Sequence, residues 1–148
     1  EEAKELGATL LKFEIKAFRA RVKQYPTNNR MKFELAKRLF QARMYDEAIP
    51  EFQASRADPK VRTNADLHLG RCFYQTKFYA QCISTLSKSV EAHEIPDDIL
   101  AKSLRYWLAR GLEAEGRRDE AREVYGDVLQ LDYNFLDVRD RLQGLTGD

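Results

Sequence analysis

The sequence predicts an all-α protein made of repeated helical hairpins. Three observations carry that expectation: a composition dominated by Ala, Leu, Glu, Lys and Arg, with only seven glycines and four prolines in 148 residues; apolar residues spaced at the 3.6-residue period of amphipathic helices; and a set of residue slots that returns along the chain. Apolar residues make up 43% and charged residues 33% of the chain, with a net charge of +1. That is the balance of a soluble globular domain, not of a disordered or membrane chain, and it leaves no bulk field to name a partner. At this length ~70% of the unfolded surface can be buried without staples.

Residues 1–26 form the first expected helix, stopped by "QYPTN", where Pro26 blocks continuation and the Thr-Asn-Asn run caps the second helix. Leu6, Leu10, Phe13 and Ala17 line one apolar stripe; Leu11, Ile15, Phe18 and Val22 line another. One stripe packs on the next helix pair. The other, marked by Leu11, Ile15 and Phe18, has no intrachain partner, so it is expected to have received an upstream helix, with a homo-oligomer formed through this helix as the alternative. Lys12, Lys16, Arg19 and Lys23 read as a solvated basic line.

The repeat spans the next hundred residues, with units at 29–62, 63–96 and 97–133. Leu35, Leu69 and Leu108 share a slot, each followed by a small residue (Ala36, Gly70, Ala109) and then by Leu39, Phe73 or Leu112. Further slots hold Tyr45, Tyr79 and Arg118; Ala48, Cys82 and Ala121; Phe52, Leu86 and Tyr125; and Ser55, Ser89 and Val128. The first two units are 34 residues apart and the next two 39, and the five extra residues are expected to lengthen the helix that starts after "AHEIPDD". Within each unit the spacing gives two amphipathic helices joined by a polar turn. Small slots mark where they cross, so Leu in place of Gly70 or Ala48 would overpack the crossing by ~1–3 kcal/mol. Asp46 as N-cap would put Pro50 in the first turn and start that helix late, and Asp97 or Asp98 caps the later one. Residues 134–145 form a terminal helix that covers the last unit with Phe135, Val138 and Leu142, and Gly144 and Gly147 end the order.

On these slots, about two thirds of the chain resembles the tetratricopeptide repeat family, whose period is 34 residues. The family's Trp slot holds Lys32, Asp66 and Arg105 here, Pro59 matches the late proline loosely, and Arg118 replaces an aromatic. The resemblance implies a single domain over 1–148, a right-handed α-solenoid of stacked antiparallel helix pairs with about eight helices, whose first helices line a concave groove. The groove residues are then Arg30, Phe33, Lys37 and Phe40; Asn64, Leu67, Arg71 and Tyr74; and Tyr106 and Arg110, accompanied by Ser103 and Glu113. Lys37, Arg71 and Arg110 stack three cations in one column flanked by aromatic and apolar residues. That pattern suits a peptide or protein partner with acidic and apolar side chains. Exposed ion pairs supply only ~0–1 kcal/mol each, so the aromatic anchors must carry most of the affinity. The Lys, Asn and Arg set with which some family members grip a C-terminal carboxylate is not reproduced: the matching slots hold Phe33 and Lys37, Asn64 and His68, Ser103 and Trp107.

Other function classes find less support. RNA binding lacks a positive footprint. His68 and His93 stand on different elements with no paired nucleophile, and there is no phosphate loop, so neither catalysis nor a small-molecule substrate is expected. Cys72 and Cys82 lack metal-ligand spacing and read as buried, reduced thiols; no metal or other cofactor is expected. No apolar run reaches membrane-spanning length, so no direct membrane contact is expected. The chain opens at Glu1 without Met or a signal-like segment, which predicts an excised fragment; the cytoplasm is the favoured compartment.

Overall fold

A computed structural model describes residues 1–147. Among them the chain forms eight helices and no strand: α1 (Glu2–Gln24), α2 (Asn29–Gln41), α3 (Tyr45–Ser55), α4 (Arg62–Gln75), α5 (Tyr79–Ala92), α6 (Ile99–Ala114), α7 (Arg118–Leu131) and α8 (Val138–Thr146). The chain divides into two compact units, Glu1–His68 and Leu69–Asp148, with the boundary inside α4. In the first, α1 packs on α2 and α2 on α3; in the second, α5 packs on α6, α6 on α7 and α7 on α8.

The expected capping residues start two helices. Asn28 accepts from the Met31 amide at 3.0 Å and Asp98 from the Ala101 amide at 2.7 Å, each satisfying a donor that has no partner in the first helical turn. The three hairpin turns are built alike. Arg43, Lys77 and Gly116 take left-handed backbone, with φ of 60°, 68° and 83°, and the next amide closes each turn onto the preceding helix: Met44 to Leu39 at 2.9 Å, Phe78 to Phe73 at 2.8 Å, Arg117 to Leu112 at 2.9 Å. Only one of the three turns uses the residue that adopts this conformation without steric cost.

The small slots lie at the centre of the packing. Ala36, Ala48, Cys72, Cys82, Ala109 and Ala121 have no exposed surface. A Cβ added to Gly70 would stand 2.5 Å from the Leu86 side chain, inside any tolerable contact. The bulky partners Phe52, Leu86 and Tyr125 are fully enclosed. Both thiols are free, and burial pushes each up to about 12 from 9.0.

Several expectations are corrected. α3 begins at Tyr45 rather than late, so Pro50 is interior; its ring removes the donor that would have met the Asp46 carbonyl one turn back. The five extra residues are shared: α5 runs three residues longer than α3, at 14 against 11, and only the other two lead into the register of α6. α8 starts at Val138 and continues through Gly144 to Thr146, because Leu145 as well as Val138 is buried; Phe135 and Leu142 are half-buried.

The two stripes of α1 also exchange roles. Ile15 is buried and Leu11, Phe18 and Val22 are half-buried on the packed face, while Leu6, Leu10 and Phe13 are 72%, 56% and 69% exposed. Apolar spacing alone did not separate them; their polar neighbours do. Glu14 meets Arg38 at 2.9 Å and Arg19 meets Glu47 at 2.8 Å, and the Arg38 guanidinium lies 4.5 Å from the Phe18 ring. These contacts place α1 with the Ile15 face inward.

Two glycines give opposite outcomes. Gly70→Ala is expected to lower stability in urea denaturation by about 1–3 kcal/mol through overpacking, whereas Gly126→Ala, in the interior of α7 with nothing within 4 Å of the new methyl group, is expected to raise it by about 0.5–1 kcal/mol. The thiols give a pH dependence. Both are protonated in either state below pH 9, but above it the unfolded chain loses its thiol protons while the folded chain keeps them until about 12. Folding stability therefore falls as pH rises above 9, by about 1.4 kcal/mol per thiol per pH unit. The Cys72→Ala, Cys82→Ala double variant is expected to show a correspondingly flatter profile.

Candidate functional site

The expected site residues fall into two clusters, one in each unit. In the first unit, Arg30 and Asn64 are exposed near the starts of α2 and α4, and the Arg30 guanidinium stands 3.7 Å from Asp58. Lys37 is part-exposed, with its ammonium 3.1 Å from Glu34 and 4.9 Å from the centre of the Phe33 ring. Burial opposes ionisation of Glu34, yet its bonds to Arg38 and Lys37 hold the carboxyl below its ordinary value. Phe33 and Leu67 are only 6% and 8% exposed. Phe33 meets Phe52 edge-on at 6.1 Å, while Phe40 remains half-buried beside Tyr45 at 5.5 Å.

His68 joins this cluster although it was not among the expected groove residues. Its ring stacks on Phe52 at 5.3 Å and 25°, and meets the edges of Phe33 and Phe40 at 6.2 and 5.3 Å. Its Nδ1 lies 2.8 Å from the Asn64 carbonyl oxygen, which can only accept, so Nδ1 carries the proton. The sequence signal was its position four residues after Asn64, on the same face of α4.

The second cluster is denser. The Arg71 guanidinium lies 4.8 Å from the Trp107 ring centre. That of Arg110 lies 4.9 Å from Tyr74, 5.0 Å from Trp107 and 5.8 Å from Tyr106. Arg110 donates from Nη2 to the Tyr74 hydroxyl at 2.9 Å and from Nη1 to the Tyr106 hydroxyl at 3.1 Å. Tyr106 donates in turn to Asp137, which pairs with Arg141 at 3.0 Å; Arg141 reaches Glu113 at 3.3 Å, and Glu113 accepts from Tyr125 at 2.7 Å. Burial first, and then the Asp137 bond, raise the Tyr106 phenol above its ordinary value; burial and Glu113 do the same to Tyr125. Glu113, expected in the groove, thus belongs to an internal chain of charges that ties α6 to α7 and α8, and Trp107, read only as a position in the unmatched carboxylate set, supplies the ring between two arginines.

The expected apolar anchors therefore need correcting. Phe33, Leu67 and Tyr106, placed by helical spacing on an open face, are 6%, 8% and 3% exposed. Phe33 lies against Phe52 at 6.1 Å and His68 at 6.2 Å, and Tyr106 against Tyr125 at 6.1 Å and Phe135 at 6.0 Å. The half-exposed rings are Phe40, Tyr74 and Trp107. Electrostatically, Arg110 is the unusual member: both terminal nitrogens bond neutral phenols, and among the described residues it forms no ion pair with a carboxylate. Among the described residues no three His, Cys, Asp or Glu side chains are grouped to hold a metal, and no helix is long and apolar enough to cross a membrane.

Tyr106→Phe removes a hydroxyl that links Arg110 to Asp137 and is expected to cost about 1–3 kcal/mol in chemical denaturation. Combined with Arg110→Gln the loss should be less than additive, because both changes break the same bond.

No family profile matches the chain, and no curated protein matches it in sequence. Solved structures do match. A crystal structure of MamA superposes with a TM-score of 0.83 at 16% identity, covering 97% of this chain and 81% of that one. YrrB, described as a TPR protein with an unusual peptide-binding site, superposes with a TM-score of 0.77 at 16% identity over 95% and 70% of the two chains. The first TPR domain of Spaghetti (RPAP3), bound to the HSP90 peptide SRMEEVD, gives 0.69 at 17% identity over 80% and 93%. The eight helices of this chain thus adopt the tetratricopeptide-repeat solenoid fold.

Proposed function

We propose that the chain is a non-catalytic protein-interaction module whose first-helix faces hold an acidic, partly apolar peptide segment. One observation carries this reading: Arg110 is a half-buried cation framed by Tyr74, Tyr106 and Trp107, without a carboxylate partner among the described residues. An arginine among aromatic rings has lost part of its hydration, so an incoming carboxylate meets a cation that is worth more there than at an open surface. Tyr74 and Trp107 supply apolar contact beside it, and Arg71 against Trp107 gives a second charge. In the first unit Lys37, Phe40 and His68 offer a weaker version, because Glu34 already occupies Lys37.

RPAP3 and YrrB support the general role, since their structures concern peptide binding on the same fold. The carboxylate-gripping set is absent here, so the reading commits to an internal acidic segment rather than a chain terminus.

A library of acidic and aromatic peptides tests this. Trp107 is the single tryptophan, so its fluorescence reports binding directly. Peptides that bind should lose at least ~tenfold affinity, about 1.4 kcal/mol, in the Lys37→Ala, Arg71→Ala, Arg110→Ala variant, and should weaken as salt rises. Equal binding by both proteins would remove these residues from the account.

A further inference from the structure

The face of α1 turned away from α2 has an order of its own. Ala3, Leu6, Leu10, Phe13, Ala17 and Ala20 recur at alternating steps of three and four residues, a 3.5-residue spacing that it shares with the packed face and that suits the seam of a two-helix coiled coil. At 100° per residue this seam is centred about 140° around the helix from the Leu11, Ile15, Phe18 and Val22 face that docks on α2. A second helix could therefore lie along it without disturbing that contact. Leu6, Leu10 and Phe13, all more than half exposed, form its centre.

Charge selects the occupant. Along one flank of the seam the order is Glu2, Glu5, then Lys12, Lys16 and Lys23, so the flank is acidic at its start and basic at its end. Laid antiparallel against a copy of itself, this flank faces its own counterpart and each acidic end meets the other copy's basic end; laid parallel, it faces the opposite edge instead, where Glu2 meets only Gly7 and Lys16 meets Arg21. The seam fits the same arrangement, since Leu10 then faces Phe13 of the second copy while Leu6 faces the small Ala17. Each pairing occurs twice, as a twofold interface requires.

We propose that two copies of this chain associate through α1, antiparallel, along the Leu6, Leu10 and Phe13 seam. The contact lies on the surface opposite the packed face of the helix and is independent of peptide binding.

Sedimentation across a concentration series up to about 100 micromolar tests the association. A dimer is expected, with Leu10→Asp, a change at an exposed position, weakening it at least ~tenfold. Two charge variants test the direction. Glu2→Lys with Glu5→Lys, and Lys16→Glu with Lys23→Glu, should each be monomeric alone and form a mixed dimer when combined. Charges that serve only the dipole of their own helix predict no recovery on mixing. A monomer throughout the series would overturn the proposal, leaving the seam for a different helix; so would a dimer indifferent to Leu10→Asp, or a failure of the two charge variants to associate.

Discussion

The close approach of two helix backbones at each hairpin is the constraint on which the rest of the structure depends. Ala36, Gly70 and Ala109 on the first helices, and Ala48, Cys82 and Ala121 on the second, have side chains short enough to let the helices touch. Dispersion and burial then act over the larger residues that fill the adjacent hollows, Phe52, Leu86 and Tyr125 among them. Were one small slot enlarged, the bulky residues around it would be held apart at once.

The same geometry fixes what the exposed faces can present. Since the facing sides of both helices are taken up by the small and bulky slots, residues such as Phe40, Tyr74 and Arg110 are left at the margin of the core, part covered and part wet. At such a margin an arginine keeps its charge while aromatic rings take the place of much of its water. The two units solve this differently. In the first, Glu34 and His68 neutralise and fill the space. In the second, phenols fill the space without neutralising the charge, and the cation stays electrostatically open.

Much of the fold was legible in the sequence because slot periodicity records packing directly. The helix pairs, the caps at Asn28 and Asp98 and the crowded position of Gly70 all followed from residue size and spacing. What was not legible depended on partners distant in the chain. The two stripes of α1 are equivalent by spacing, and only Glu14 and Arg19 finding Arg38 and Glu47 distinguishes them. Phe33 and Tyr106 looked open because periodicity says which side of a helix a residue occupies, not what covers that side; His68 covers one, and Phe135 the other. Pro50 was assigned a permissive position because a carboxylate nearby resembled a cap, whereas the turn at Arg43 had already set the start of α3.

The two thiols occupy sites chosen for smallness, and this has a chemical consequence. With no surface exposed and little thiolate present, neither sulfur can meet an oxidant while its hairpin is closed. Should a hairpin open and a sulfur acquire oxygens, the enlarged, charged group would no longer fit between the backbones. The hairpin could not then close again, so a brief excursion would become a permanent lesion.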